Sequence, residues 1–173
     1  MLTLHTRLDG AALADEILVL PWDRRERCRL RATLASGEEV ALLMPRGTVL
    51  RHGDLLRGDD GRVVRIVAAL EATYALRCAD PLLLARSAYH LGNRHTQAEL
   101  HDWGLRIRVD PVLRELALKL GATVTEEMAP FDPEPGAYAG HGHGHGDDQG
   151  GRHPLAPVPL RQKIHRPAGV EGA

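Results

Sequence analysis

Two Asp-Pro pairs thirty positions apart, Asp80-Pro81 and Asp110-Pro111, impose a fixed grammar on the middle of this chain. Each joins a capping carboxylate to a ring at the first helical position, where a missing N–H costs nothing, so each predicts a helix start. After the first pair Leu82, Leu83, Ala85, Ala88, Tyr89 and Leu91 recur on a helical face, and Gly92-Asn93 is the expected exit. After the second, Val112, Leu113, Leu116 and Leu120 recur and Gly121 closes the run. Strand-like EATYALRC stands before the first helix. AELHDWGLRIRV, bent around Asp102 to Gly104, lies between the two, and TVTEEMAPF follows the second. The order β-α-β-β-α-β is the ferredoxin-like, or split βαβ, pattern. It fixes an architecture and leaves the function open.

The first seventy residues are written differently. LTLHTRL, ERCRLRATL, EEVALLM, VLRHGDLL and RVVRIVAAL are strand-sized, without helical periodicity, and are separated by turn signals at Ser36-Gly37, Pro45-Arg46-Gly47, His52-Gly53-Asp54 and Asp59-Asp60-Gly61. Extended, RRERCRLR would put Arg25, Arg27, Arg29 and Arg31 on one side of a strand. With aromatic content of 3% and no stacking residue interleaved, that stripe reads as a solvated face and not as a grip for RNA. Beyond Phe131 proline, glycine and histidine replace anything that could build a core. The expected class is therefore α+β: a small N-terminal all-β domain over residues 1–70, a ferredoxin-like domain over 71–135, and a disordered His/Gly/Pro tail over 136–173.

Charge narrows the partners. Lys and Arg number 22 against 23 acids, a formal charge of -1, so no global field draws in nucleic acid or an anionic membrane. Acids interrupt the apolar N-terminal stretch and no long apolar run occurs, so a soluble, cytoplasmic protein is expected. Cys28 and Cys78, fifty positions apart, form neither a zinc ribbon nor a redox motif and read as buried structural thiols. The motifs of zinc proteases, α/β-hydrolases and P-loop nucleotide binders are all missing.

Histidine is the outlier, with ten residues, five of them between 141 and 165. In GHGHGHG the glycines add no bulk, so His141, His143 and His145 can wrap an ion and present two or three nitrogens. Imidazole suits nickel, copper, zinc and iron, which points to a late transition metal. Ordering such a segment costs entropy, which makes the site labile and suited to handing an ion on. His153 and His165 follow in the same tail. A second signal is YHLGNRH: His90 and His95, five apart, would stand about 140° apart on a helix and cannot share one ion from one face. His90 falls inside the helix as a packing residue, whereas His95 follows the exit. A lone imidazole holds an ion poorly, but near a two-fold axis one position supplies two nitrogens. Each ligand must be deprotonated, so binding weakens as pH falls through about 6.5, the ordinary imidazole value.

SAYHLGNRHTQAEL, DPVLRELALKLGATV and APFDPEPGAYAGHGHGH, in this order, closely resemble the urease accessory protein UreE family, and RERCRLRATLASGEEVALLMPRGTVLRHGDLL resembles that family's first domain. The resemblance implies a homodimer whose ferredoxin-like domains meet at the two-fold, with His95 of the GNRH motif binding Ni²⁺ from both subunits and tail histidines adding ligands. It also implies transfer of nickel to the urease activation complex, through the GTPase UreG and the UreD/UreF/apo-urease assembly, with a peptide-binding-like N-terminal module. Where many members carry histidine in a D-H-V-L stretch, this chain has Asp110-Pro111-Val112-Leu113, which puts peripheral metal sites there in doubt. Two other classes remain on the sequence: a zinc-dependent hydrolase using His95 with Glu99 or Asp102, and a β-domain interaction module with an inert tail. Nickel itself rests on the resemblance, because Cu²⁺ would bind the same imidazoles more tightly and Zn²⁺ nearly as well.

Overall fold

A computed structural model describes residues 1–135. His141, His143, His145, His153 and His165, and the tail reading that contains them, lie outside the described residues.

The N-terminal region runs through β1 (Leu2–Arg7), β2 (Glu16–Leu20), a single helical turn α1 (Trp22–Arg25), β3 (Arg29–Thr33), β4 (Glu39–Leu43), β5 (Leu55–Gly58) and β6 (Val63–Ala68). The six strands form one sheet in the order β2-β6-β5-β1-β4-β3. Alternation builds it: Leu2 pairs with Val40, Leu4 with Leu42, Leu18 with Ile66 and Leu56 with Val64, all buried on the same side. With Leu20, Leu34 and Leu50 they form one apolar core, each side chain contributing roughly 1.5–3 kcal/mol by leaving water. The hairpins β3–β4 and β5–β6 turn at the expected Ser36-Gly37 and Asp59-Asp60-Gly61.

Two features depart from the sequence reading. β2 is a strand that the turn signals do not announce, since Asp15 and Glu16 at its head mask a four-residue apolar run. It is found because it pairs in parallel with β6 far along the chain, a long-range contact that no local pattern encodes. The arginine stripe is shorter than expected, with only Arg29 and Arg31 on the exposed face of a strand. Arg25 belongs to the helical turn and is completely buried.

The C-terminal region comprises β7 (Leu70–Arg77), α2 (Pro81–Gly92), β8 (Glu99–His101), β9 (Gly104–Arg108), α3 (Pro111–Leu120) and β10 (Thr123–Pro130), with a wholly antiparallel sheet ordered β10-β7-β9-β8. Both Asp-Pro pairs act as read. The Asp80 carboxylate accepts from Leu83 N–H at 2.8 Å, and that of Asp110 from Val112 and Leu113 N–H at 2.8 and 3.1 Å. Both helices cover one face of the sheet, where Leu91 and Ala117 meet Tyr74, Leu76, Leu105 and Ile107. Gly104 opens β9 at a φ of 145°, and a Cβ there would run into the carbonyl oxygen of Leu76. Only glycine admits that approach of β9 to β7. The two cysteines are free and half-buried, Cys28 against the N-terminal core and Cys78 against the C-terminal one.

The two sheets belong to one compact unit, and Arg25 lies at their seam. Its guanidinium donates to Leu20 O at 3.2 Å, to Phe131 O, and to Asp132 Oδ1 at 2.8 Å. A buried charge is tolerable only when paired and hydrogen-bonded, and this arrangement meets both conditions. Arg51 adds a second guanidinium on the same Asp132 oxygen at 3.1 Å and donates to Pro133 O.

Candidate metal centre

The end of α2 determines how His95 is displayed. Thr96 N–H donates back to Leu91 O at 3.1 Å and His95 N–H to Gly92 O at 2.9 Å. These are the paired bonds of a Schellman helix end, which requires a left-handed residue between them. That residue is His95, at a φ of 54°, the one non-glycine with positive φ among the described residues. α3 ends the same way, with Ala122 N–H on Ala117 O at 3.0 Å and Gly121 N–H on Leu118 O at 3.1 Å, but there the left-handed position is glycine. A β-carbon in this conformation costs roughly 1–2 kcal/mol. Local strain kept at one residue is a recurrent mark of a working position.

His95 is exposed and borders a surface depression of ≈ 590 Å³ lined also by Arg94, Thr96, Gln97, Arg108 and Asp110. His90, one turn earlier and half-buried, packs edge-on against Tyr89 at 5.3 Å and is separate from this display. No group of three or more His, Cys, Asp or Glu side chains able to hold an ion occurs among the described residues. Of the candidate ligands His95 alone lies in the described region.

Of the two acids that the hydrolase reading pairs with His95, Glu99 is committed elsewhere. Glu99 Oε2 accepts from Arg106 Nη1 at 2.6 Å and lies 3.0 Å from His101 Nε2, while its Oε1 accepts from the backbone of Asp132. Arg106 also donates through Nε to Glu127 at 2.9 Å. Burial would lower the Arg106 pKa, but the bonds to Glu127 and Glu99 outweigh it and hold the guanidinium above its ordinary range. His101 is stacked on Trp103 at 4.5 Å and joins the Glu99–Arg106 network on this face of the sheet. The hydrolase reading loses Glu99 to that network.

Comparison with known proteins follows the same division. Residues 3–69 match the family model described as UreE urease accessory protein, N-terminal domain, and residues 71–154 match the corresponding C-terminal domain model. The chain belongs to the UreE urease accessory protein family. It is 58% identical to a protein named urease accessory protein UreE from Nitrosospira multiformis, over 98% of each chain. It is 60% identical to one of the same name from Janthinobacterium sp. (strain Marseille), over 97% of this chain and 98% of that one. With a Burkholderia lata protein of that name it shares 56% over 71% of this chain and 59% of the relative.

The sequence names His95 as a candidate but not the residues that hold its loop. Gln97 and Trp22 carry no local signal of that role, because they lie 75 positions apart.

Proposed function

We propose that this protein is a non-enzymatic Ni²⁺ carrier for urease active-site assembly, a cytoplasmic homodimer in which His95 from two copies share one ion as cargo. The observation that carries this reading is the exposed His95 held at a helix end where glycine would be unstrained. The βαββαβ order and the sheet order β10-β7-β9-β8 support reading the C-terminal region, residues 71–135, as ferredoxin-like. Residues 1–70 serve as the β-domain, which the family reading makes peptide-binding-like. Exposed Leu82 and Tyr89, seven apart on α2, offer an apolar strip leading toward His95 on which a second copy can pack.

The root of the tail supports a second part of the reading. Glu134 N–H donates to Ala98 O at 2.9 Å, so the segment carrying His141, His143 and His145 departs three residues from His95. Seven residues span at most about 25 Å, which brings the tail histidines within reach of an ion at His95. They act as further ligands that load and unload it. Delivery then runs to the GTPase UreG and the UreD/UreF/apo-urease complex. Cu²⁺ and Zn²⁺ compete for the same imidazoles, and supply in the cell selects nickel.

Titration calorimetry with Ni²⁺, run beside light scattering, tests this. Wild type should bind its tightest ion at one per dimer, His95→Ala should lose that site, and a triple change of His141, His143 and His145 to alanine should lower total capacity. A strictly monomeric protein, or an unchanged tightest site in His95→Ala, would refute the proposal.

A further inference from the structure

Gln97 stands two residues beyond His95 and ties its loop to α1 in the N-terminal region. Its Oε1 accepts from Trp22 Nε1 at 2.7 Å and its Nε2 donates to Glu26 Oε1 at 2.7 Å. The indole only donates and the carboxylate only accepts, so the two partners fix which way the amide faces. Trp22 is itself immobilised. It is 3% exposed, its N–H donates to Glu71 Oε1 at 2.6 Å, and its ring meets Phe131 edge-on at 6.2 Å. The guanidinium groups of Arg25 and Arg51 stand 5.0 and 5.1 Å from the ring centroid. The segment after α2 is therefore pinned at one end by the bonds to Leu91 and Gly92 and at the other by the amide of Gln97, with the imidazole of His95 displayed between them.

We propose that Gln97 is a positioning residue for the metal site: gripped by Trp22 and Glu26, it fixes where His95 stands, so the helical turn α1 of the N-terminal region sets the geometry of a site to which it gives no ligand. The proposal rests on the reading of His95 as a nickel ligand. An ion shared between two copies needs both imidazoles in place at once, so any slack in the loop is paid for twice, once in each subunit. Partners that orient a ligand from outside typically matter about 10–100-fold in metal affinity.

The test is Ni²⁺ affinity at the tightest site of the full-length protein, with dimer state and melting temperature followed in parallel. Gln97→Ala should weaken that site about tenfold and leave the total capacity unchanged. Trp22→Phe, which keeps the ring and removes the donor, should do the same. In Gln97→Glu the new carboxylate still accepts from Trp22 but faces Glu26 with like charge, so the grip opens and affinity falls. Adding Glu26→Gln restores a donor to it, and the double variant should regain wild-type affinity. Recovery in Gln97→Glu alone would mean that added negative charge, and not the grip, is what the ion senses, and would overturn the proposal. Wild-type affinity in Gln97→Ala would overturn it as well. Should Gln97→Ala fail to fold, the single and double carboxylate variants decide the matter by the same criterion. If His95→Ala also keeps wild-type affinity, the ligand reading falls with the proposal; if His95→Ala loses the site while Gln97→Ala retains it, only the positioning role falls.

Discussion

The ends of α2 and α3 share one hydrogen-bond geometry and differ in the residue that turns the corner. Gly121 takes the left-handed position at the end of α3 without strain, whereas His95 takes it at the end of α2. After α3 the chain passes directly into β10 and the core at Ala122. After α2 it crosses an exposed loop and is caught by Trp22 and Glu26 at the helical turn α1 in the N-terminal region. One end is stable by itself. The other accepts local strain to display an imidazole and relies on the seam between the sheets for support.

The severest way to break this contrast is to cut the seam. Arg25→Ala leaves the carbonyls of Leu20 and Phe131 without their buried donor, while Asp132 keeps Arg51, and each buried acceptor left unsatisfied costs about 1–3 kcal/mol. Urea denaturation should show that loss, and Ni²⁺ affinity at the tightest site should fall with it. Next comes Gly121→His, which gives α3 the corner residue of α2. No atom lies within 4 Å of a Cβ built there, so the cost is conformational alone, about 1–2 kcal/mol by the same denaturation measurement.

The reciprocal exchange has the opposite sign. His95→Gly should stabilise the metal-free protein by about 0.5–1 kcal/mol while removing the tightest site. With Ni²⁺ at 100 times its dissociation constant, wild type gains about 2.7 kcal/mol, so melting temperatures should reverse order on adding the metal. A His95→Gly protein less stable than wild type without metal would show that the corner carries no strain.

The smallest effect belongs to a control far from both corners. Arg62 donates to Glu38 at 2.7 and 2.9 Å and to Asp60 at 2.6 Å. The side-chain bond from Arg62 holds Glu38 below its ordinary 4.5, and the Arg62 backbone and side-chain bonds hold Asp60 below its ordinary 3.8. A carboxylate depressed by folding stabilises above its unfolded value and loses that contribution as pH falls through the folded one. The small difference in melting temperature between wild type and Arg62→Ala should therefore persist at pH 7 and close below about pH 4, with Ni²⁺ binding at neutral pH unaffected in both.

Much of this could be read from the chain. Asp80-Pro81 and Asp110-Pro111 set both helix starts, Gly121 set one helix end, and hairpin residues set the turns at 36–37 and 59–61, because caps and turns are chemistry between near neighbours. β2 was not legible, since four apolar residues behind two acids become a strand only when β6 is alongside. His95 was legible as a candidate from GNRH, but its left-handed corner was not, for asparagine and glycine just before it were the more obvious stop signals.

Sequence alone thus determined the order of the elements from residue 70 onward, the hairpin turns before it, and the residue types able to hold a metal, all of which depend on separations of a few positions. The tertiary structure decided that Arg25 is buried and not part of a solvated stripe, that Glu99 is occupied by Arg106, and that Gln97 is held from α1 of the N-terminal region. Desolvating a guanidinium or fixing an amide requires acceptors and donors brought together from distant parts of the chain, and only folding makes them neighbours.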